Sequence, residues 1–265
     1  MMPIVRWTLW QRRWSLLWWC LGVACLIILT ISLYPAFHDQ NALNQQLSQL
    51  PQAAKSLFSD TGDFFSPQGY LSSQVFYLTL PLLLSVLTIG MGSSLIAREE
   101  DDGTLELLLS RSISRGRLLV AKAFSGLIIL IIVGAVVVIS SVLTAKFAHI
   151  NIPLLNIAVA SLLTINLALL FGSIAMTVTM FGRSARIASI GFTALIAFGG
   201  YIVASLAGVA RWLVWPAKFS PYHYFSPGDA LYGHFGWQNP AGMLAASLIL
   251  MFIAWLAFRR RDLRG

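Results

Sequence analysis

Residues 97–117 read AREEDDGTLELLLSRSISRGR. Five of the ten acidic residues of the chain lie here, as Glu99, Glu100, Asp101, Asp102 and Glu106. Long apolar runs flank the stretch on both sides. A polar island between two such runs is what a membrane protein shows where the chain leaves one span and enters the next.

Composition supports that reading. The 265 residues are 57% apolar and 11% charged, with a mean hydropathy of +0.76. Soluble domains carry about 25% charged residues, so this chain lacks the polar surface to cover a water-exposed core. A spanning helix needs roughly 20 mostly apolar residues. Six runs qualify, at about 14–36, 76–97, 118–145, 154–181, 187–209 and 241–258. The expected fold class is an all-α polytopic membrane protein with six transmembrane helices, one membrane domain filling residues 1–265.

The net charge of +8 does not point to nucleic acid, because the basic residues are segregated. With the N-terminus inside, fourteen lysines and arginines fall on inner flanks. Only Lys55, Lys146, Arg211 and Lys218 fall on outer segments. Cytoplasmic flanks are enriched in Lys and Arg, so both termini are expected in the cytoplasm, where the basic residues can also meet anionic lipid headgroups. The first apolar run is long enough to span and no small-residue cleavage site follows it closely, so no cleavable signal peptide is read. Cys20 and Cys25 lie five residues apart on the first span, about 7.5 Å along a helix axis, too far for a disulfide within that helix.

Outside the spans, residues 1–13 alternate bulky apolar and basic side chains, with Trp7, Trp10 and Trp14 at helical spacing. They suit a short helix in the headgroup plane. Residues 37–74 form the longest polar loop, outside, with Leu43, Leu47 and Leu50 on one helical face before Pro51. Residues 210–240 are rich in tryptophan, tyrosine and proline, too broken to span and too aromatic for a free linker. Aromatic residues favour the interface, and irregular backbone at membrane depth must be shielded. This segment is therefore read as re-entrant or interfacial helices.

Several function classes are excluded or disfavoured. No span holds an ionisable residue in its middle; Lys122 lies about a turn inside the third and can snorkel. Ion-coupled carriers usually keep such a residue in the bilayer interior. No G-x-x-x-x-G-K-[ST] loop, H-E-x-x-H motif or cysteine cluster occurs, so the chain is not expected to be an enzyme. The four histidines, His38, His149, His223 and His234, fall in outer segments and read as scattered interfacial residues rather than a metal site. Small residues recur, at Gly90, Gly92, Ser93 and Ser94, at Gly126 and Gly134, and at Gly191, Gly199 and Gly200. They permit close helix approach.

The 98–117 segment carries the functional reading. Asp101, Asp102 and Gly103 suit a helix start, since short acidic side chains cap free N–H groups. Glu106 then falls in the first turn, beside the positive end of the helix dipole. Leu105, Leu108 and Leu109 form one apolar stripe, and Ser112 or Ser114 can cap the third span. An apolar stripe bordered by opposite charges is what docking into a partner's groove requires.

This stretch resembles the signature of type 2 ABC transporter permeases: an acidic pair, Gly-Thr, a Leu- and Glu-rich helix, then Ser-Arg, a Leu pair and Lys. Glu99, Glu100, Gly103, Thr104, Leu105, Glu106, Ser114, Arg115, Leu118, Leu119 and Lys122 match. Where the family commonly has proline two residues before Ser-Arg, this chain has Ser112. The likeness extends to SPYHYFSPGDAL before the last span and to the terminal FRRRDL. It implies that 98–117 is a short cytoplasmic coupling helix between spans two and three, seated in a cleft of a separate ABC ATPase. The residues implied to couple are Arg98, Glu99, Glu100, Gly103, Thr104, Leu105, Glu106, Leu108, Leu109 and Arg115. ATP and Mg would sit on that partner, with no cofactor in this chain. A second permease copy, the same or related, would complete the path. The setting implied is the cytoplasmic membrane of a bacterial or archaeal cell, and the activity is export of an amphipathic or lipid-like cargo. The alternative is a subunit that transmits force or aids assembly without transporting.

Overall fold

The computed structural model describes residues 2–34, 51–58, 66–101, 103, 114–148, 150–182 and 185–260. The expected helix of Leu43, Leu47 and Leu50, and residues Asp102, Thr104, Leu105, Glu106, Leu108, Leu109 and Ser112, lie outside the described residues.

Among the described residues all regular structure is helical, and six helices are long and apolar enough to cross a membrane. The short α1 (Met2–Gln11) precedes the first span, α2 (Arg13–Ser32). After α3 (Gln52–Phe58), the second span is composite: α4 (Pro67–Leu71), a π-helical turn (Ser72–Phe76) and α5 (Thr79–Ser94). The short α6 (Ala97–Asp101) then leads towards α7 (Arg115–Phe147), the third span. The fourth and fifth spans are α8 (Leu154–Phe181) and α9 (Arg186–Leu206). Two small helices, α10 (Val214–Ala217) and α11 (Pro227–Leu231), and two 3₁₀ turns precede the last span, α12 (Gln238–Arg260).

The second span is longer than its apolar run. Its helix begins at Pro67, so residues 67–74, read from the sequence as loop, are helical. Ser66 caps the start, accepting a hydrogen bond from the Gly69 amide (3.0 Å) with proline in the first turn. Ser72 and Ser73 are buried rather than solvated, and the Ser73 hydroxyl donates to the Tyr70 carbonyl (3.2 Å). Pro81 has no N–H to give and crowds the carbonyl four residues earlier. The π turn just before it, with the Tyr77 amide bonded to the Ser72 carbonyl (2.7 Å), absorbs that mismatch.

Helix α8 is the hub, packing against α5, α7, α9, α11 and α12. It meets α5 at glycines. A Cβ on Gly92 would lie 2.3 Å from the Gly172 carbonyl oxygen, and one on Gly172 would lie 3.0 Å from Thr88 Cβ. The backbones therefore touch, as small residues allow in membrane helices. Gly90, Gly191 and Gly199 have nothing within 4 Å of such a Cβ, so these small residues do not mark close approach within the chain. Polar bonds tie α8 further. The Asn166 amide donates to the Pro240 carbonyl (2.9 Å), Thr177 reaches the Leu250 carbonyl (3.0 Å), and Ser189 of α9 donates to the Ala175 carbonyl (2.6 Å).

The two ends of the bundle differ in chemistry. At the aromatic end, residues 210–240 fold into a packed cap. Tyr222 lies between Tyr201 (5.5 Å), Phe171 (5.9 Å) and Phe225 (6.0 Å), and Tyr77 shares a 2.7 Å hydrogen bond with Ser205. The Tyr201 hydroxyl donates to the Leu57 carbonyl, which fastens α3 to the same end. Burial, then the neighbouring Tyr201 and Tyr77, push the Tyr222 phenol pKa up. Trp212, Trp215, Phe219 and Trp237 point outward instead, as interfacial anchors do. The opposite, basic end carries α1, α6 and most of the arginines, and holds the site described next.

Candidate functional site

The stretch that joins spans two and three is built into the basic end at both of its edges. On the entry side, Leu95, Ile96 and Ala97 are buried. On the exit side, Ser114 precedes α7, and Leu118 and Leu119 are buried one turn later. These leucines and Ile96 join Met176 and Met180 of α8 and Ala254 and Phe258 of α12 in one apolar cluster. Ile4 of α1 packs on its edge. Packed side chains at the two edges of the stretch therefore link three spans and α1.

An ion pair locks the entry side to α7. Lys122 Nζ bonds Glu99 Oε1, with both side chains largely out of solvent. Lys122 thus does not snorkel, as the sequence reading had it; it turns inward to a carboxylate. The physical reason is that a desolvated ammonium is stable only when paired and hydrogen-bonded. Arg12, at the joint of α1 and α2, donates to Ser94 Oγ (2.7 Å), so the N-terminal helix is tied to the last turn of α5. Burial, then the positive charges of Arg98 and Arg186, push the Arg12 guanidinium pKa down, while Glu99 opposes them. Five charged residues from four parts of the chain therefore share one node, with Glu99 the carboxylate facing Lys122 and Arg12.

Of the other expected residues, Arg98, Glu100, Gly103 and Arg115 are among those described. Arg98 is exposed, Glu100 half-buried, and Arg115 is the first residue of α7, also half-buried. The helix start expected at Asp101 to Gly103 takes a different form: Asp101 is the last residue of α6. Gly103 follows with φ 66° and its amide on the Glu100 carbonyl (3.1 Å). A left-handed residue closes a helix end, and glycine adopts it without a Cβ clash. Thr104, Leu105, Glu106, Leu108 and Leu109 lie outside the described residues. Arg12, Ser94 and Arg186 were not singled out from sequence as site residues. The available signal was Lys122 itself, since an ionisable residue inside a span calls for a partner.

The whole-chain comparison bears on this arrangement. The family model of ABC-2 family transporter proteins matches residues 3–263. The chain belongs to this family. It is a type 2 ABC transporter permease, a multi-pass membrane subunit, and membership implies association with an ABC ATPase component. No curated protein and no solved structure matches the permease. Among the described residues, no group of three His, Cys, Asp or Glu side chains could hold a metal ion.

Proposed function

We propose that the permease forms the membrane path of an ATP-driven exporter and receives force from a separate cytoplasmic ATPase through residues 98–117. The observation that supports this most is the anchoring of that stretch at both edges, by the Glu99–Lys122 pair and by the Leu95 to Phe258 cluster. A solvated connector needs neither. In this reading ATP and Mg bind the partner, ATPase closure moves the stretch, and α7, α8 and α12 follow as one packed unit. A second permease copy completes the path. The cargo is amphipathic. The spans present no ionisable residue at mid-depth, and a cavity of about 390 Å³ at the aromatic end sets Leu170, Phe219 and Met243 beside Gln238 and Asn239.

Docking is tested at the apolar stripe. Leu108→Asp would set an unpaired charge against an apolar groove, and a central contact of this kind is worth about 2 kcal/mol or more. Co-purification of the ATPase with the permease is expected to be lost. Glu106→Lys is expected to weaken it or uncouple hydrolysis from transport, and both variants should insert normally. Normal insertion with parental ATPase retention and substrate-stimulated hydrolysis would leave the stretch a solvated loop.

Orientation is tested separately. In a background lacking Cys20 and Cys25, a cysteine at Ser110 is expected to be shielded from an impermeant thiol reagent on intact cells. A cysteine at Gln52, on the α3 that Tyr201 fastens to the aromatic end, is expected to react. Labelling of both positions would overturn cytoplasmic termini.

A further inference from the structure

We propose that a cleft at the basic end, between the first turn of α7 and the last turn of α12, binds the phosphodiester headgroup of an acidic phospholipid. The cleft has a volume of about 530 Å³ and is lined by Ser114, Arg115, Gly116, Arg117, Trp255 and Arg259. Three of these residues are cationic and none is acidic. Among the described residues neither Arg117 nor Arg259 pairs with a carboxylate, and both are exposed.

Three further features suit an anion held at headgroup depth. The cleft includes the N-terminus of a 33-residue helix whose Ser114 side chain makes no capping bond, so the positive dipole end faces it. The Arg259 guanidinium lies 4.5 Å from the Trp255 ring centroid, an arrangement that orients the cation. Trp255 stacks on Phe252 at 5.8 Å, and among the described residues its indole N–H has no hydrogen-bond partner. Gly116 lets the Trp255 indole pack close against the α7 backbone, since a Cβ there would lie 2.7 Å from Trp255 Nε1.

The geometry selects a lipid over a free anion. The cleft joins the ends of two spans, and its walls run from arginines to Val120 and Trp255, so a headgroup and the start of its acyl chains find matching surfaces. Tryptophan favours this boundary layer. The site needs only that the basic end meets a headgroup layer, so it does not rest on ATPase coupling. Because it joins the edge of the 98–117 stretch to α12, a bound lipid would brace the two against each other.

The test uses purified full-length permease, delipidated in mild non-ionic detergent and titrated with phosphatidylglycerol or phosphatidylcholine, with bound lipid counted by native mass spectrometry. One phosphatidylglycerol is expected to be retained in preference to phosphatidylcholine. Arg117→Gln with Arg259→Gln is expected to weaken it roughly 10- to 30-fold, as two basic residues near an anionic surface would. Arg6→Gln with Arg13→Gln, which removes the same charge outside the cleft, should leave binding unchanged. Trp255→Phe keeps the ring, removes the N–H and should weaken binding without lowering the thermal midpoint. Equal retention of phosphatidylcholine, or unchanged binding in the Arg117 and Arg259 variant, would overturn the proposal. Displacement by inorganic phosphate would make it a free-anion site, and loss of ATPase binding in place of lipid would make it a protein-docking surface; either result overturns the lipid assignment.

Discussion

Glu99→Gln is expected to destabilise the permease by about 3–5 kcal/mol, the range for breaking a buried ion pair from one side. The substitution leaves the Lys122 ammonium, 5% exposed, without its carboxylate. Lys122→Met should be milder, because Glu99 still faces Arg12, and a methionine fills the vacated apolar volume. The double variant should recover much of the loss, since replacing both charges by neutral groups is often nearly neutral. Thermal midpoints of the purified permease in detergent give the comparison, and the cycle isolates the coupling. Strictly additive losses would show that the pair carries no interaction energy. The pair also holds α6 against α7, so Glu99→Gln should reduce transport beyond what lower abundance explains.

Gly92→Ala is expected to destabilise by about 2–4 kcal/mol, at or above the usual 1–3 kcal/mol for overpacking. The added methyl would sit 2.3 Å from the Gly172 carbonyl oxygen, and a backbone atom in α8 cannot rotate away as a side chain can. Helices α5 and α8 must separate, which also strips packing from Thr88 and Met176. Gly90→Ala is the matched control two residues away. Nothing lies within 4 Å of its Cβ, and alanine favours the helix by about 0.5–1 kcal/mol over glycine. It should be neutral or slightly stabilising. Similar thermal midpoints for the two variants would refute the close α5–α8 contact.

Much of the architecture could be read before any coordinates. The run at 154–181 coincides with α8, and the other single-helix spans agree within a few residues at most ends, because loss of polar character along the chain is a one-dimensional signal. The second span escaped it. Ser66, Gln68, Ser72, Ser73 and Gln74 look like loop residues, yet Ser66 caps the helix and two serines are buried inside it. Hydropathy counts a serine as polar wherever its hydroxyl finds a carbonyl. The polar pattern of Arg98, Glu99, Glu100 and Arg115 marked the stretch as the candidate site. That Lys122 pairs with Glu99, and that Arg12 bonds Ser94 beside them, was not legible, since these residues come from separate elements.

The sequence by itself determined the helical class, the six spans and the concentration of basic residues at one end. Each follows from a transfer preference that a residue expresses alone: chain into lipid, tryptophan to the interface, arginine to the headgroups. Tertiary structure decided which helices are neighbours, why Gly92 matters and Gly90 does not, and that Lys122 turns inward to Glu99. Lipid tails are as apolar as leucine, so hydrophobicity does not choose among lateral partners in a membrane. The choice falls to shape and to a few paired polar groups, and these exist only once the helices are packed.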